Sequence, residues 1–546
     1  MGLDRKYLLV LICLVFAIKA VAQDIERARP EEWNELVQGG RFMDRFLPIP
    51  TIGELTSKTW GCEAVLPRYT DNGIEDNSWS YWGGNIMKLN DGKYHMIVCR
   101  WPEAAEKGHM EWPNSEIAHA VSNQSLGPYK VKGETIGKGH NPEFFALKDG
   151  RYVIYVVDAY YIAEKIDGQW QKSAFDFDSR DRKIIDGLSN VSFTQREDGS
   201  YLAVCRGGGI WVSETGISPY CQVTNTTVYP PFDGRYEDPV IWKTNIQYHM
   251  IVNDWYGRIA YYLRSKDGIN WKVEPGEAYM PGIARYEDGT VEDWYKFERI
   301  KVLQDEYGRA YQANFAVIDS SKWHDKGNDH HSSKNISIPL IKGRLLTILN
   351  KKQITPKTSE IQVLIEAEQG FNPHEDIDIE SLRFGASEEV NFGRGGKSLK
   401  TEKKGNDMVV YFQGQGNGLS EKNFVAKLIG KTTTGKLLFG YARLPGLQYS
   451  DPILSARKPI ITREEYKTNI EFEVQNFGGV DSDNTSVILV FTTGEKTVKV
   501  FGKVPALKPY QKTNVSIREK LALDSAPEHV EILVEKGQKM PLFVQD

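Results

Sequence analysis

The sequence predicts an all-β chain: a five-bladed β-propeller followed by two β-sandwich modules, the last of them immunoglobulin-like. Two observations predict it. One phrase recurs five times between residues 85 and 313: an apolar strand, a turn, and a second apolar strand beginning at or beside a tyrosine. Beyond about residue 360 the phrase stops and plain strand alternation replaces it.

The first copy runs Asn85 to Val98 and turns at Asp91-Gly92; the second runs Pro142 to Tyr155 and turns at Asp149-Gly150. The third, Val191 to Val204, turns at Asp198-Gly199. The fourth runs Asp238 to Val252 through Thr244-Asn245, and the fifth runs Glu298 to Ala313 through Tyr307-Gly308. Asp-Gly between alternating apolar residues is a strong hairpin signal. The hairpin tyrosines Tyr94, Tyr152, Tyr201 and Tyr248 stand 58, 49 and 47 residues apart, room for the four strands of one blade. Third and fourth strands are readable as well, as in Arg258 to Leu263 followed by Asp267 to Trp271.

The domain plan that results is a leader over 1–22, a propeller over 23–352, a sandwich over 358–445 and an immunoglobulin-like module over 446–546. In the leader, Asp4, Arg5 and Lys6 precede an apolar run from Tyr7 to Ile18, and Ala20-Val21-Ala22 offers small residues for cleavage. No later apolar run reaches membrane-spanning length, so export to the periplasm, cell surface or medium is expected. The cysteines beyond the leader, Cys62, Cys99, Cys205 and Cys221, are too few for a disulfide framework, and Cys99 and Cys205 are expected as buried thiols.

With 546 residues the chain must divide into domains. Lys+Arg 68 against Asp+Glu 73 leaves a net charge of -5, which excludes the basic footprint of a nucleic-acid binder. The 13 Trp, 27 Tyr and 22 Phe suit β structure and also surfaces that stack on sugar rings.

Ser125-Leu126-Gly127-Pro128-Tyr129, Glu237-Asp238-Pro239-Val240 and Ser265 to Trp271 resemble the blade phrases of five-bladed glycoside hydrolases of families 43, 32 and 117. The resemblance covers about 310 residues and implies a propeller acting on oligosaccharides or polysaccharides of plant or algal origin. Family 43 carries an Asp base in its first blade and a Glu acid in its third. Here those places read Gly84-Asn85 and Asn190-Val191-Ser192. Family 117 uses a histidine acid, a role that would fall to His140. The segments Asp378 to Gly385, Asp407 to Phe412 and Leu428 to Thr432 resemble a sandwich appended to secreted bacterial proteins, and Asn469 to Gly479 resembles immunoglobulin-like adhesion modules.

In a propeller the first-strand starts and second-strand ends of all blades share one mouth, which gathers residues distant in sequence. Glycoside hydrolysis needs two carboxyl groups, one protonated and one ionised. Glu143 and Asp238 are the first pair expected, with Glu237 and Glu298 as rivals and His140 as the alternative acid. Arg100, Arg206 and Arg299 are expected to bind substrate at this mouth with Asp158, Asp254, Trp82, Trp101 and Trp255.

The same arginines open a second reading. Around a uronate they would neutralise its carboxylate, and His140, His95, His249 or Tyr160 could act as base for β-elimination, making the protein a lyase or dehydratase. A third reading is a glycan-binding surface protein without catalysis. A calcium ion in the channel is a candidate structural cofactor, and the substrate is neutral or anionic. His109-Met110-Glu111-Trp112 reads as a lid, Tyr279 to Trp294 as an exposed loop over the mouth, and His324 with Asp329-His330-His331 as loop or metal ligands.

Overall fold

The computed structural model describes residues 25–57, 67–217, 219–355, 357–464, 467–520, 527–535, 538 and 540–545. The leader and Cys62 lie outside them. Within them no helix is long and apolar enough to cross a membrane.

Five antiparallel sheets succeed one another between residues 79 and 339. Blade I is Trp79–Lys88, Tyr94–Pro102 and Glu116–Ser122, with Lys130–Val131 and Gly137–Lys138 both on its outer edge. Blade II is Glu143–Ala146, Tyr152–Val156, Ala159–Ala163 and Gln171–Ser173. Blade III is Ser192–Gln195, Tyr201–Val204, Ile210–Ser213 and Tyr220–Gln222, widened by a parallel edge strand, Phe177–Asp178. Blade IV is Tyr236–Lys243, Tyr248–Asp254, Ile259–Ser265 and Trp271–Tyr279; blade V is Lys296–Gln304, Ala310–Ile318 and Ser333–Pro339. The first strands of the five sheets touch in cyclic order, I to II, III, IV, V and back to I. The chain is therefore a closed propeller around a central channel.

Closure is made where the missing outer strand of blade V would lie. Ile74 bridges Asn335, its N–H donating to the Asn335 carbonyl at 3.0 Å and its carbonyl accepting at 3.3 Å. Next to it, Asn72 Oδ1 accepts from the Ser337 N–H at 2.8 Å. Gly73 must be glycine: its φ is +73°, and a Cβ would stand 1.8 Å from the Asn335 carbonyl oxygen. The middle strands Tyr248–Asp254 and Ile259–Ser265 are buried at every residue. Each blade is sandwiched between neighbours, so both faces of these strands are core and the sequence shows near-continuous apolar runs.

The second module is a sandwich whose two sheets share Arg344–Ile348 at one edge and Gly396–Lys404 at the other. The sharing closes it into a seven-stranded barrel, completed by Glu360–Ile365, Ile377–Gly385, Asp407–Gln413, Val425–Thr432 and Leu437–Arg443. Arg344–Ile348, read from sequence as the end of the propeller, belongs to this barrel. Two four-stranded sheets then form the last sandwich around Ile470, Val474, Val487, Leu489 and Ile532.

This sandwich docks on blade III through arginines that follow the extra edge strand. Arg180 donates to Ser455 Oγ and to the Ser455 carbonyl, both at 3.1 Å, and Arg182 donates to Ser455 Oγ at 3.0 Å and to the Leu542 carbonyl. Cys99, Cys205 and Cys221 are free and buried, and burial pushes the Cys99 and Cys221 thiols up, to about 12 and about 11.

Candidate active site

The channel is sealed below its mouth by a ring with one residue from each blade. Gly83, Asn141, Asn190, Asp238 and Arg299 occupy equivalent places near the starts of the first strands, and all five have positive φ, between +51° and +66°. Bulges at this level break the register of blades I, IV and V between Trp82 and Asn85, Glu237 and Val240, and Glu298 and Lys301. Left-handed backbone is rare outside glycine, so five such residues in one ring mark a built feature.

The side chains bind round the circle. Asn141 Nδ2 donates to Asn190 Oδ1 at 2.7 Å, and Asn190 Nδ2 donates to Asp238 Oδ1 at 2.8 Å. Arg299 Nη1 donates to the same Asp238 oxygen at 3.2 Å, and Arg299 Nη2 reaches back to the Asn141 carbonyl at 3.4 Å. Gly83 completes the circle against Asn141 and Arg299.

Above the ring, one oxygen from each of Glu237, Asp238 and Glu298 lies within 4.8 Å of the others. Asp238 and Glu298 are 3% and 1% exposed, and the Glu237 side chain 14%. The cations differ at each carboxylate. Asp238 belongs to the ring and Arg299. Glu298 Oε2 accepts from Lys322, while its Oε1 is buried without a partner. Among the described residues the cation paired with Glu237 is Arg206, whose Nε is 3.4 Å from Glu237 Oε2 on a side chain 39% exposed.

Burial therefore pushes the Glu237 carboxyl up to about 8, helped by the charges of Asp238 and Glu298 and only partly opposed by Lys322 and Arg206. Burial also works against the Lys322 ammonium, but the three carboxylates outweigh it and keep that amine above its ordinary value. The site thus holds a neutral carboxyl beside ion-paired carboxylates at neutral pH. A divalent cation at this trio would sit beside Lys322 and Arg299, which already neutralise Glu298 and Asp238, so the charge balance suits a channel calcium ion poorly although Glu298 Oε1 has no partner.

Lys322 enters on the segment between Ile318 and Ser333, which clasps the insertion after the second strand of blade I. The Asn328 N–H donates to the Glu103 carbonyl at 3.2 Å, and a Cβ on Gly108 would stand 2.2 Å from the Asp325 carbonyl oxygen. Lys322 also lies over the Trp82 ring, 4.8 Å from its centroid.

Several expected residues stand elsewhere. Glu143 is under the ring, taken up by Lys301 and by Ser192 Oγ at 3.0 Å, so the channel floor separates it from the mouth. Asp254 is fully buried, held by Arg27 at 3.2 Å and by the Arg235 N–H at 3.0 Å. Asp158 is an exposed turn residue with φ +69°. Arg100 pairs with Glu116 at 2.8 Å and covers the Trp79 ring at 4.0 Å. Trp82 and Trp101 are 2% and 1% exposed and pack on His109, which leaves no face for a sugar. Trp255 is half-buried between Tyr256 and Lys296.

His140 does reach the mouth. Its Nδ1 is 3.0 Å from Ser115 Oγ and 3.5 Å from Cys99 Sγ, its ring packs 4.8 Å from Trp112, and burial with the charges of Arg299 and Lys322 holds it well below the ordinary range. It is neutral. Trp112 keeps 36% of its surface exposed.

His95 stacks on His119, His249 stacks on Trp242, and Tyr160 is buried against Phe175, so all three are packing residues. The Tyr279 to Trp294 segment is exposed at Arg285, Glu287, Asp288, Gly289, Val291 and Asp293 but anchored between them: Tyr286 and Trp294 are buried, and Glu292 accepts from the Tyr69 N–H at 3.0 Å. His331 pairs with Asp319 at 3.3 Å. Among the described residues the carboxylate trio is the one group with metal-ligand spacing, and no histidine belongs to it.

Sequence reading missed Lys322, Lys301 and the roles of Asn141 and Asn190. The asparagines carried a signal, since Asn141, Asn190 and Arg299 each stand nine residues before the turn glycine of their copy, Gly150, Gly199 and Gly308. Lys322 carried none, because it lies in a connection outside the repeat.

No family model matches the chain, and no curated protein does. Solved structures similar to it include a family 117 glycoside hydrolase of the marine bacterium Zobellia galactanivorans, 12% identical over 49% of this chain and 88% of that one, with a TM-score of 0.37. A glycoside hydrolase is 12% identical over 86% and 97%, with a TM-score of 0.37. An endo-arabinase from Bacteroides thetaiotaomicron is 12% identical over 48% and 94%, with a TM-score of 0.31.

Proposed function

We propose that this protein is an exported glycosidase that releases sugar from a chain end, with Glu237 as general acid and Glu298 as nucleophile. The observation that carries this reading is the split within the trio: Glu237 raised to about 8, Glu298 in an ion pair with Lys322 and one oxygen free. A carboxyl held protonated by burial beside a carboxylate in an ion pair supports an acid and its partner in one reaction.

The Glu237 proton passes to the leaving glycosidic oxygen as the bond to the anomeric carbon breaks. Glu298 Oε1 is buried and has to be uncovered as the sugar enters; it then attacks that carbon from the other face and forms a glycosyl ester. Glu237, now ionised, takes a proton from water, whose oxygen displaces Glu298 and leaves the sugar hemiacetal. The close grouping of the trio, with one oxygen of each residue within 4.8 Å of the others, favours the about 5–5.5 Å carboxyl spacing of a double displacement over the about 6.5–9.5 Å of an inverting pair.

A ring of hydrogen-bonded side chains across the channel would close the mouth from below, which suits a chain end better than a mid-chain stretch. Trp112, with its exposed face beside His140, is the platform for a sugar ring. Asp238 holds the ring together and shapes the acidity of Glu237. Export rests on the leader, and protein from the periplasm or medium should begin at Gln23.

The test is a panel of neutral and uronate-bearing oligosaccharides, followed for new reducing ends and for absorbance near 235 nm. The reading expects reducing ends without absorbance, lost in Glu298→Gln. Rising absorbance would mean elimination to an unsaturated uronate and would overturn it. Arg100 and Arg299 are tied to Glu116 and Asp238, so the arginine set that elimination needs is reduced to Arg206.

A further inference from the structure

Arg45 is buried to 6% in the short helical turn Phe42–Arg45, at the meeting point of the N-terminal segment, blade IV and the barrel. Its guanidinium lies over Phe439 at 4.2 Å and Phe42 at 4.5 Å, and donates to Tyr441 Oη at 3.0 Å. No carboxylate among the described residues lies within ion-pair reach of it, and Nε is buried without a partner. A buried guanidinium without a counter-charge is expensive.

The surroundings make the imbalance worse. Arg264 and Lys427 are also buried, 5.0 Å and 5.8 Å from the Tyr441 ring centroid, and the carboxylate they share is Glu274. Glu274 is already taken by Arg264 at 2.6 Å, Ser387 at 3.0 Å and Asn391 at 3.1 Å. His249, between Thr244 and Tyr262, cannot supply negative charge.

Arg45 lines a cavity of about 120 Å³ with Thr244, His249, Phe439 and Tyr441, roomy enough for a compact ion and water. Two more wall arginines, Arg309 and Arg344, pair with Glu368 at 2.6 Å and 3.6 Å. The wall carboxylate Glu366 makes no ion pair with Arg45. We propose that this cavity is a binding site for a small anion, a halide or compact oxyanion seated against Arg45, which ties the N-terminal segment, the propeller and the barrel together. The competing counter-charge is Tyr441 itself. Burial alone would raise its phenol, but Lys427, Arg45 and Arg264 outweigh it and pull it below its ordinary value.

The test follows the melting of the full chain in sodium chloride, bromide and sulfate against gluconate, which is too large for the cavity, at matched ionic strength. A saturable rise in Tm with the small anions, absent with gluconate and absent in Arg45→Met, is the expected result. An equal response to all four salts, or one retained in Arg45→Met, would overturn the site. If that variant does not fold, bromide-soaked crystals of the wild-type protein decide: an anomalous peak against Arg45 is expected. An empty cavity, with phenolate absorbance near 295 nm at neutral pH, would assign the counter-charge to Tyr441 and sink the proposal.

Discussion

Replacing Glu237 by glutamine should injure catalysis and strengthen the fold at alkaline pH, two effects that one cause predicts together. The carboxyl titrates near 8 in the folded chain against an ordinary 4.5. A raised carboxyl costs nothing below its unfolded pKa, costs more as pH climbs from 4.5 to 8, and costs the full amount above 8. At about 1.36 kcal/mol for each pH unit between the two values, the ceiling is about 5 kcal/mol. The side chain is 14% exposed, and water relieves part of this, so about 2–4 kcal/mol is the working figure. Glutamine keeps the shape and removes the cost, so the variant should melt above wild type at pH 9 and with it at pH 4.

Catalysis should fall about 10²–10⁴-fold on substrates with sugar leaving groups, the usual worth of a positioned acid. The loss should shrink to about tenfold or less with a dinitrophenyl leaving group, which departs unaided. The alkaline limb of the wild-type kcat/KM profile, with an apparent pKa near 8, should vanish in the variant. Melting curves against pH and kcat/KM against pH are the two assays. An alkaline limb that persists in Glu237→Gln, with no gain in stability above pH 8, would refute the reasoning.

Three further outcomes follow from the same geometry. Lys322→Met removes the cation that holds Glu298 and opposes the rise of Glu237, so kcat should drop at least about tenfold and the alkaline limb of the pH profile should move up; an unmoved limb would separate Lys322 from the chemistry. His140→Ala should leave both limbs in place, because the imidazole is already neutral, and should change KM through Trp112; loss of the alkaline limb would return the acid role to histidine. Gly73→Ala places a methyl 1.8 Å from the Asn335 carbonyl oxygen and should cost on the order of 4 kcal/mol in a chemical denaturation series, whereas a mild effect would show that the seam can shift.

The repeat was legible because each blade buries both faces of its middle strands, so apolar runs and hairpin turns recur at near-constant spacing. The barrel was legible as strands but not as a closed ring, since shared edge strands such as Arg344–Ile348 leave no mark in local alternation. At the mouth, the type of residue was readable and its partner was not. Glu143 and Glu237 look alike in sequence, each beside a strand start. A floor of left-handed residues separates them, giving one to Lys301 and leaving the other with a half-exposed arginine. That difference depends on contacts between residues 61 to 158 positions apart, as for Arg299 with Asp238 and with Asn141. Trp82 and Trp101 show the reverse error. Large aromatics near a mouth suggest stacking platforms, but these two fill the space beneath the insertion that carries Trp112.

The central claim is a double displacement at Glu298 with Glu237 as acid, and the anomeric configuration of the first product tests it most directly. Proton NMR over the first turnovers of an active oligosaccharide should show the released sugar with the configuration of the bond that was cut. The inverted anomer, or the vinyl proton of an unsaturated uronate, would contradict it.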